Sequence, residues 1–185
     1  MFKDWGLKRL ADYEYHESID EMKHADWLIE RILFLEGIPQ MQRLNPLVIG
    51  RNTQEMLEND LKLENKVHPD LVNAVSYCEE VKDYNSKELF VKILSSEEDH
   101  IDWLETQIGL IKKVGLENYQ QENMHSNDWD WLESLVGLSS QPAHSYSELP
   151  ITSACLVTEL ASELAGRIAR SCDQASGASN TLTSR

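Results

Sequence analysis

The chain lacks any long uninterrupted apolar run. None of its 185 residues belongs to an apolar stretch of about 18, the length that crosses a bilayer. Its first residues, MFKDWG, also lack the apolar core of a secretory signal peptide. The sequence therefore predicts a cytoplasmic protein that neither spans a membrane nor binds one.

Cysteine is scarce as well. Cys78, Cys155 and Cys172 are far apart and form no C-x-x-C pair. This pattern fits reduced thiols in a cytosol better than a disulfide framework. Cys78 also falls in an apolar helical stripe, so we interpret it as a small buried side chain and not as a nucleophile.

Basic residues are few: 17 Lys and Arg stand against 32 Asp and Glu, for a formal net charge of −15. Nucleic-acid binding requires basic surface, so this balance argues against it. An acidic surface suits a protein that concentrates cations. Solubility alone also explains it.

Helical spacing of apolar residues recurs in three long segments, which predicts an all-α protein. The first helix is predicted from about residue 7 to 35, the second from about 52 or 53 to 81, and the third from about 85 to 113. An extended crossover over residues 37–53 joins the first two, and a short helical turn follows at 116–121. Asn85 is the predicted cap of the third helix. Pro69 is expected to kink the second helix without breaking it.

The composition changes near residue 122, which divides the chain into a domain over 1–121 and a tail over 122–185. Residues 174–185 are rich in Ser, Thr, Asn and Gly and are expected to be disordered. Residues 151–169 form a predicted helix with an apolar stripe. That stripe consists of Val157, Leu160, Ala161, Leu164, Ala165 and Ile168.

Two Glu-x-x-His pairs lie inside the apolar stripes of long helices. They are Glu21 with His24 and Glu97 with His100, and Glu64 occupies the stripe of the second helix. Residues three apart share a helix face, so each pair offers a carboxylate and an imidazole to one metal ion. Buried groups of this kind cost several kcal/mol unless they are paired or bind a cation. A salt-bridge network is the alternative, but few basic residues share these stripes. The pattern predicts a two-metal carboxylate site of iron or manganese.

A complete site of this type also needs one further glutamate from each of two other helices. Glu64 supplies one. The carboxylates of the tail helix, Glu159 and Glu163, lie roughly 120° or more from its apolar centre, so we do not expect them to replace the other. A third pair, Glu122 and His125, follows the last long helix outside any apolar stripe.

A second apolar stripe on the first helix predicts contact with another subunit. It comprises Tyr15, Ile19, Met22, Ala25, Ile29 and Leu33. From its position alone, Met22 is typical of core or interface packing rather than haem ligation. His16 and Asp20 are one turn apart on a more polar side, where they form either a surface pair or an external iron site.

Residues 1–8, 14–26, 29–37 and 97–106 resemble bacterioferritin, and the resemblance extends to about residue 121. It implies an iron-storage cage of 24 subunits that oxidises Fe(II) with O2 or hydrogen peroxide at a ferroxidase centre, and a ferredoxin-type electron donor for iron release. By resemblance, His24 serves one iron, Glu64 and His100 serve the other, and Glu21 and Glu97 bridge them.

The resemblance also implies that Met22 and its symmetry mate hold haem b on a two-fold axis between subunits. His16 and Asp20 match residues that bind iron on the cavity surface in some members.

The family has a helix of about 30 residues ahead of the position matching Met1, and it carries the terminal glutamate of the first iron. The expected fold is therefore a ferritin-like four-helix bundle without its first helix. Three hypotheses follow: a ferroxidase subunit for iron storage, a haem-binding structural subunit of a mixed cage without its own activity, or a non-functional truncated fragment.

Overall fold

The structure, a computed structural model, describes residues 1–41, 48–125 and Leu164. The described residues form four helices and no strand: α1 (Lys8–Phe34), α2 (Thr53–Glu80), α3 (Tyr84–Val114) and α4 (Leu116–Glu122). The all-α prediction is confirmed, and the long helices begin and end within two residues of the predicted positions. The predictions for the tail lie outside the described residues, except at Leu164.

Specific groups at the helix ends fix these boundaries. The side chain of Asn52 accepts a hydrogen bond from the backbone of Glu55, which caps α2. Asp83, not the predicted Asn85, caps α3 by accepting from the backbone N–H of Ser86. Gly115 ends α3 with a φ of 83°, a left-handed conformation that glycine adopts without strain.

Helix α2 continues through Pro69. Its apolar face persists on both sides of the proline, with Val67, Leu71, Ala74 and Cys78 all buried. Tertiary packing of this face outweighs the local loss of one backbone hydrogen bond. The prediction that Pro69 would not break the helix is confirmed, and so is the burial of Cys78.

The apolar core consists of two clusters, one towards each end of the three long helices. The upper cluster combines residues from the second half of α1 and α2 with the start of α3; it contains Ala25, Leu28, Ile32, Val67, Leu71, Ala74, Cys78, Phe90 and Ile93, together with Leu164. The lower cluster contains Phe2, Leu7, Leu10, Leu57, Leu104, Ile108, Ile111 and Tyr119.

Helix α3 is the element on which the other two long helices pack. Both α1 and α2 approach α3 within 8 Å between Cα atoms, whereas α1 and α2 do not approach each other within that distance. The two therefore lie diagonally across the bundle without packing directly on each other, and we call the space between them the groove.

Two details of the buried faces differ from the sequence prediction. Ala25 was assigned to the outward stripe of α1, yet it lies in the upper cluster and is 3% exposed. It lies about 60° from Leu28 around the helix, and its small side chain fits the edge of the packed face. On α3, Ile93, His100 and Ile111 lie at the edge of the apolar stripe in the sequence, yet all three side chains are buried.

No helix within the described residues is both long and apolar enough to cross a membrane.

A partly buried ion pair joins α1 to the α2–α3 corner. The Arg31 guanidinium donates to both carboxylate oxygens of Asp83, at 2.8 and 3.1 Å. Burial raises the pKa of Asp83, but hydrogen bonds from Ser86 and Arg31 outweigh burial and hold the pKa below its ordinary value. Asp83 therefore stabilises the fold above its unfolded pKa, and this contribution disappears as pH falls through its folded pKa.

Replacing Asp83 with Asn should lower the free energy of unfolding by about 1–2 kcal/mol at pH 7, because Asn keeps the cap but loses the charge pair. Urea unfolding at several pH values tests this, and the difference from the parent should shrink below pH 3.8. Glu79→Gln, which breaks the more exposed pair with Lys87, is the control and should change stability little. A pH-independent cost for Asp83→Asn would contradict the assignment.

Candidate metal centre

A polar layer separates the two apolar clusters, and all five predicted ligands lie in it. Glu21 and His24 come from α1, Glu64 comes from α2, and Glu97 and His100 come from α3. None of the five is more than 6% exposed. The helical spacing explains this convergence, since each residue interrupts the inward apolar face of its own helix.

Glu21, His24 and Glu97 form the first half of the centre. His24 Nδ1 lies 3.2 Å from Glu21 Oε1 and 3.1 Å from Glu97 Oε1. One ligand atom from each of the three residues lies within 4.8 Å of the others, so a single cation can contact all three.

Glu64, Glu97 and His100 form the second half. His100 Nδ1 lies 3.6 Å from Glu64 Oε1, and one ligand atom of each residue again lies within 4.8 Å of the others. Glu97 belongs to both halves. Its carboxylate therefore lies where it can contact two cations at once.

Several buried atoms of the centre have no hydrogen-bond partner among the described residues. They include Glu21 Oε2, Glu64 Oε2 and both ring nitrogens of His100. A buried polar atom without a partner costs about 1–3 kcal/mol, and more when it is charged. Carboxylate oxygens and imidazole nitrogens are ligands for iron and manganese, so this donor set fits a pair of such ions.

The three central carboxyls differ in acidity. Burial raises the pKa of Glu21 to about 7 and that of Glu64 to about 8. Burial acts in the same direction on Glu97, but hydrogen bonding to His24 dominates and lowers its pKa. Burial thus favours the protonated form of Glu64 and Glu21, hydrogen bonding favours the ionised form of Glu97, and a cation bound at the centre would favour the ionised form of all three.

Both histidines are held in the cationic form when no metal is present. Burial lowers the pKa of His24, but hydrogen bonding of the imidazole N–H to the Glu21 and Glu97 carboxylates outweighs burial and raises the pKa to about 9. His100 shows the same balance, with Glu64 and Asp60 raising its pKa to about 9. The protonated imidazoles take the place of a cation's charge between the carboxylates.

A further acidic pair that the sequence analysis did not assign lies beside His100. Asp60 Oδ2 is 3.9 Å from His100 Nε2, and Glu14, Asp60 and His100 offer one ligand atom each within 4.8 Å. Burial raises the pKa of both carboxyls, that of Glu14 to about 8. Asp60 precedes Glu64 by four residues, and this helical spacing is the signal that could have identified it.

Two aromatic rings flank His100. Tyr13 and Trp103 stack with their ring centroids 3.6 Å apart, and each ring centroid is just over 6 Å from that of His100. They also line a cleft of about 960 Å³ next to the centre. No sequence signal marked them, because the stack depends on the register between α1 and α3.

The remaining predicted site residues lie outside the centre. His16 is exposed and its Nδ1 contacts the Asp12 carbonyl at 2.6 Å, whereas Asp20 pairs with Lys23 at 2.5 Å. The structure thus gives His16 and Asp20 separate partners. Met22 is 42% exposed on the outward face of α1, where a second subunit can reach it.

Known proteins match the part of the chain that contains the candidate metal centre. The model of the ferritin-like domain matches residues 1–114. A bacterial ferritin of Synechocystis sp. is 48% identical over 125 residues, which is 67% of this chain and 80% of the relative.

Two bacterioferritins are similarly close. That of Brucella melitensis is 49% identical over 123 residues, or 66% of this chain and 76% of the relative. The bacterioferritin of Mycobacterium avium is 43% identical over 122 residues, which is 66% of this chain and 77% of the relative. The resemblance to bacterioferritin is confirmed: this chain belongs to the ferritin-like family, among the bacterial ferritins and bacterioferritins.

Proposed function

We propose that the protein is an iron-storage subunit that oxidises Fe(II) at the centre formed by Glu21, His24, Glu64, Glu97 and His100. The observation that carries the proposal is the shared position of Glu97 between two buried carboxylate–histidine groups. Membership among the bacterial ferritins supports iron as the cation.

Each residue has a defined role in this proposal. Glu97 and Glu21 bridge two ions, His24 caps one of them, and Glu64 with His100 completes the other. Two Fe(II) ions held there would each give up one electron, and O2 or hydrogen peroxide would take up the two electrons with two protons to form hydrogen peroxide or water. The apolar clusters on both sides exclude water and keep the carboxylates oriented.

Metal binding and iron oxidation together test the proposal. Anaerobic titration with Co(II), which resists oxidation, should show two ions per chain with visible bands of imidazole–carboxylate coordination. Addition of Fe(II) and O2 should then give ferric absorbance and iron that remains with the protein on gel filtration. Failure to bind two Co(II) ions would contradict the two-ion centre.

A second function, haem binding without iron oxidation, is favoured by two observations. Met22 is exposed on the outward face, and no carboxylate within the described residues approaches His24 except the two proposed bridges. In this alternative, Met22 of two subunits holds one haem b, and the chain is a structural subunit of a mixed 24-subunit cage.

The haem alternative predicts that Met22→Leu abolishes haem binding while preserving the fold, because leucine matches the shape of methionine but cannot ligate iron. The measurement is the low-spin absorption spectrum after incubation with haem. Met41→Leu is the matched control, since Met41 is similarly exposed at 48% but lies beyond the end of α1. Retention of the spectrum in Met22→Leu would contradict the assignment.

A further inference from the structure

One side chain from outside the four helices lies buried in the upper cluster, to which α1, α2 and α3 all contribute. Leu164 is helical and 0% exposed, and it belongs to the upper cluster. This cluster brings Leu164 together with Leu28 of α1, Leu71 of α2 and Phe90 of α3. The side chain thus lies where all three long helices present apolar groups.

The sequence around Leu164 suits a longer contact than one side chain. Val157, Leu160, Leu164 and Ile168 recur at helical spacing, and Ala161 and Ala165 lie on the same stripe. These positions span about 12 residues, or roughly 17 Å of helix. Small alanines on a stripe allow a helix to lie close to its neighbours.

The chain is long enough to reach the groove from the far end of the bundle. Helix α3 ends at Val114, whereas Leu164 lies in the cluster that contains Phe90 and Ile93 near the start of α3. The distance to be covered back along the bundle is about 24 residues of helix, or roughly 36 Å. Residues 126–150, about 25 in number, can extend to roughly twice that length.

We propose that segment 151–169 of the chain docks as a helix in the groove between α1 and α2 and provides its apolar cover. It does so without adding a metal ligand, since Glu159 and Glu163 lie away from the stripe that Leu164 centres. The docking of the C-terminal segment does not depend on whether the protein oxidises iron. The test therefore uses the metal-free protein.

Substitutions in the full chain test the packing. Leu164→Ala should lower the melting temperature of the metal-free protein by roughly 5–15 °C, as a wholly buried leucine does in a domain of this size. The same substitution should also speed thiol labelling of the buried Cys78. Mass spectrometry of the peptide that contains Cys78 measures the labelling rate. Ser162→Asp, on the opposite side of the segment, is the control and should leave both unchanged. Equal melting and labelling in Leu164→Ala and the parent would overturn the proposal.

A crosslinking experiment identifies the occupant. A photoactivatable leucine analogue at position 164 keeps the side-chain volume and should form crosslinks to peptides of α1 or α2 within the same chain, which migrate as a monomer on a denaturing gel. Crosslinks found only between chains would assign the groove to a second copy. That result, or the absence of crosslinks to these helices, would overturn the proposal.

Discussion

Replacing Glu97 with Gln is expected to abolish two-ion binding and to slow rapid Fe(II) oxidation by at least about 100-fold. The reason is that Glu97 is the carboxylate common to both halves of the centre. Glutamine keeps the side-chain volume but loses the negative charge and one anionic oxygen, so both cations lose a ligand at once. Removal of groups that merely support metal ligands already costs 10–100-fold.

Anaerobic Co(II) titration and stopped-flow Fe(II) oxidation measure this effect. Glu98→Gln is the matched control: Glu98 is the next residue, but it is largely exposed and pairs with His68 outside the centre. It should leave both measurements unchanged. Glu21→Gln should have a smaller effect than Glu97→Gln, because Glu21, although also proposed as a bridge, lies within ligand distance of His24 and not of His100. Two-ion binding by Glu97→Gln would exclude Glu97 as the bridge.

The sequence predicted the fold and the central residues because both depend on short-range periodicity. Helical spacing placed Glu21, His24, Glu64, Glu97 and His100 on inward faces, and the structure brings those five side chains into one buried layer. Their roles as ligands stay predictions. The helix boundaries followed from caps and glycines that act within a few residues.

Features that depend on contacts between distant segments were not predictable. Asp83 and Asn85 are both suitable cap residues, and the contact of Asp83 with Arg31 decides between them. The Tyr13–Trp103 stack likewise requires the register of two helices. The burial of Leu164 requires a groove that no local pattern reveals.

Joining a helix with a central glutamate to the amino end of the chain is expected to speed Fe(II) oxidation by about 10-fold or more. The two halves of the centre are unequal: His100 has Glu64 besides the shared Glu97, whereas the only carboxylates in ion-pair range of His24 among the described residues are the proposed bridges Glu21 and Glu97. A further carboxylate near His24 should raise the affinity for the ion at the weaker position, so that both ions are bound at lower metal concentration.

A comparison of three chains distinguishes the effect of the added glutamate ligand from the effect of the apolar cover that the added helix provides. They are the 185-residue chain, the same chain with the added helix, and the extended chain with glutamine in place of the central glutamate. The added helix must occupy the groove where Leu164 lies, so crosslinking from position 164 to α1 and α2 should fall in both extended chains. Only the glutamate form should oxidise Fe(II) faster than the 185-residue chain in stopped-flow measurements. Equal fast phases in all three chains would show that the C-terminal segment or water already supplies the ligand that His24 lacks.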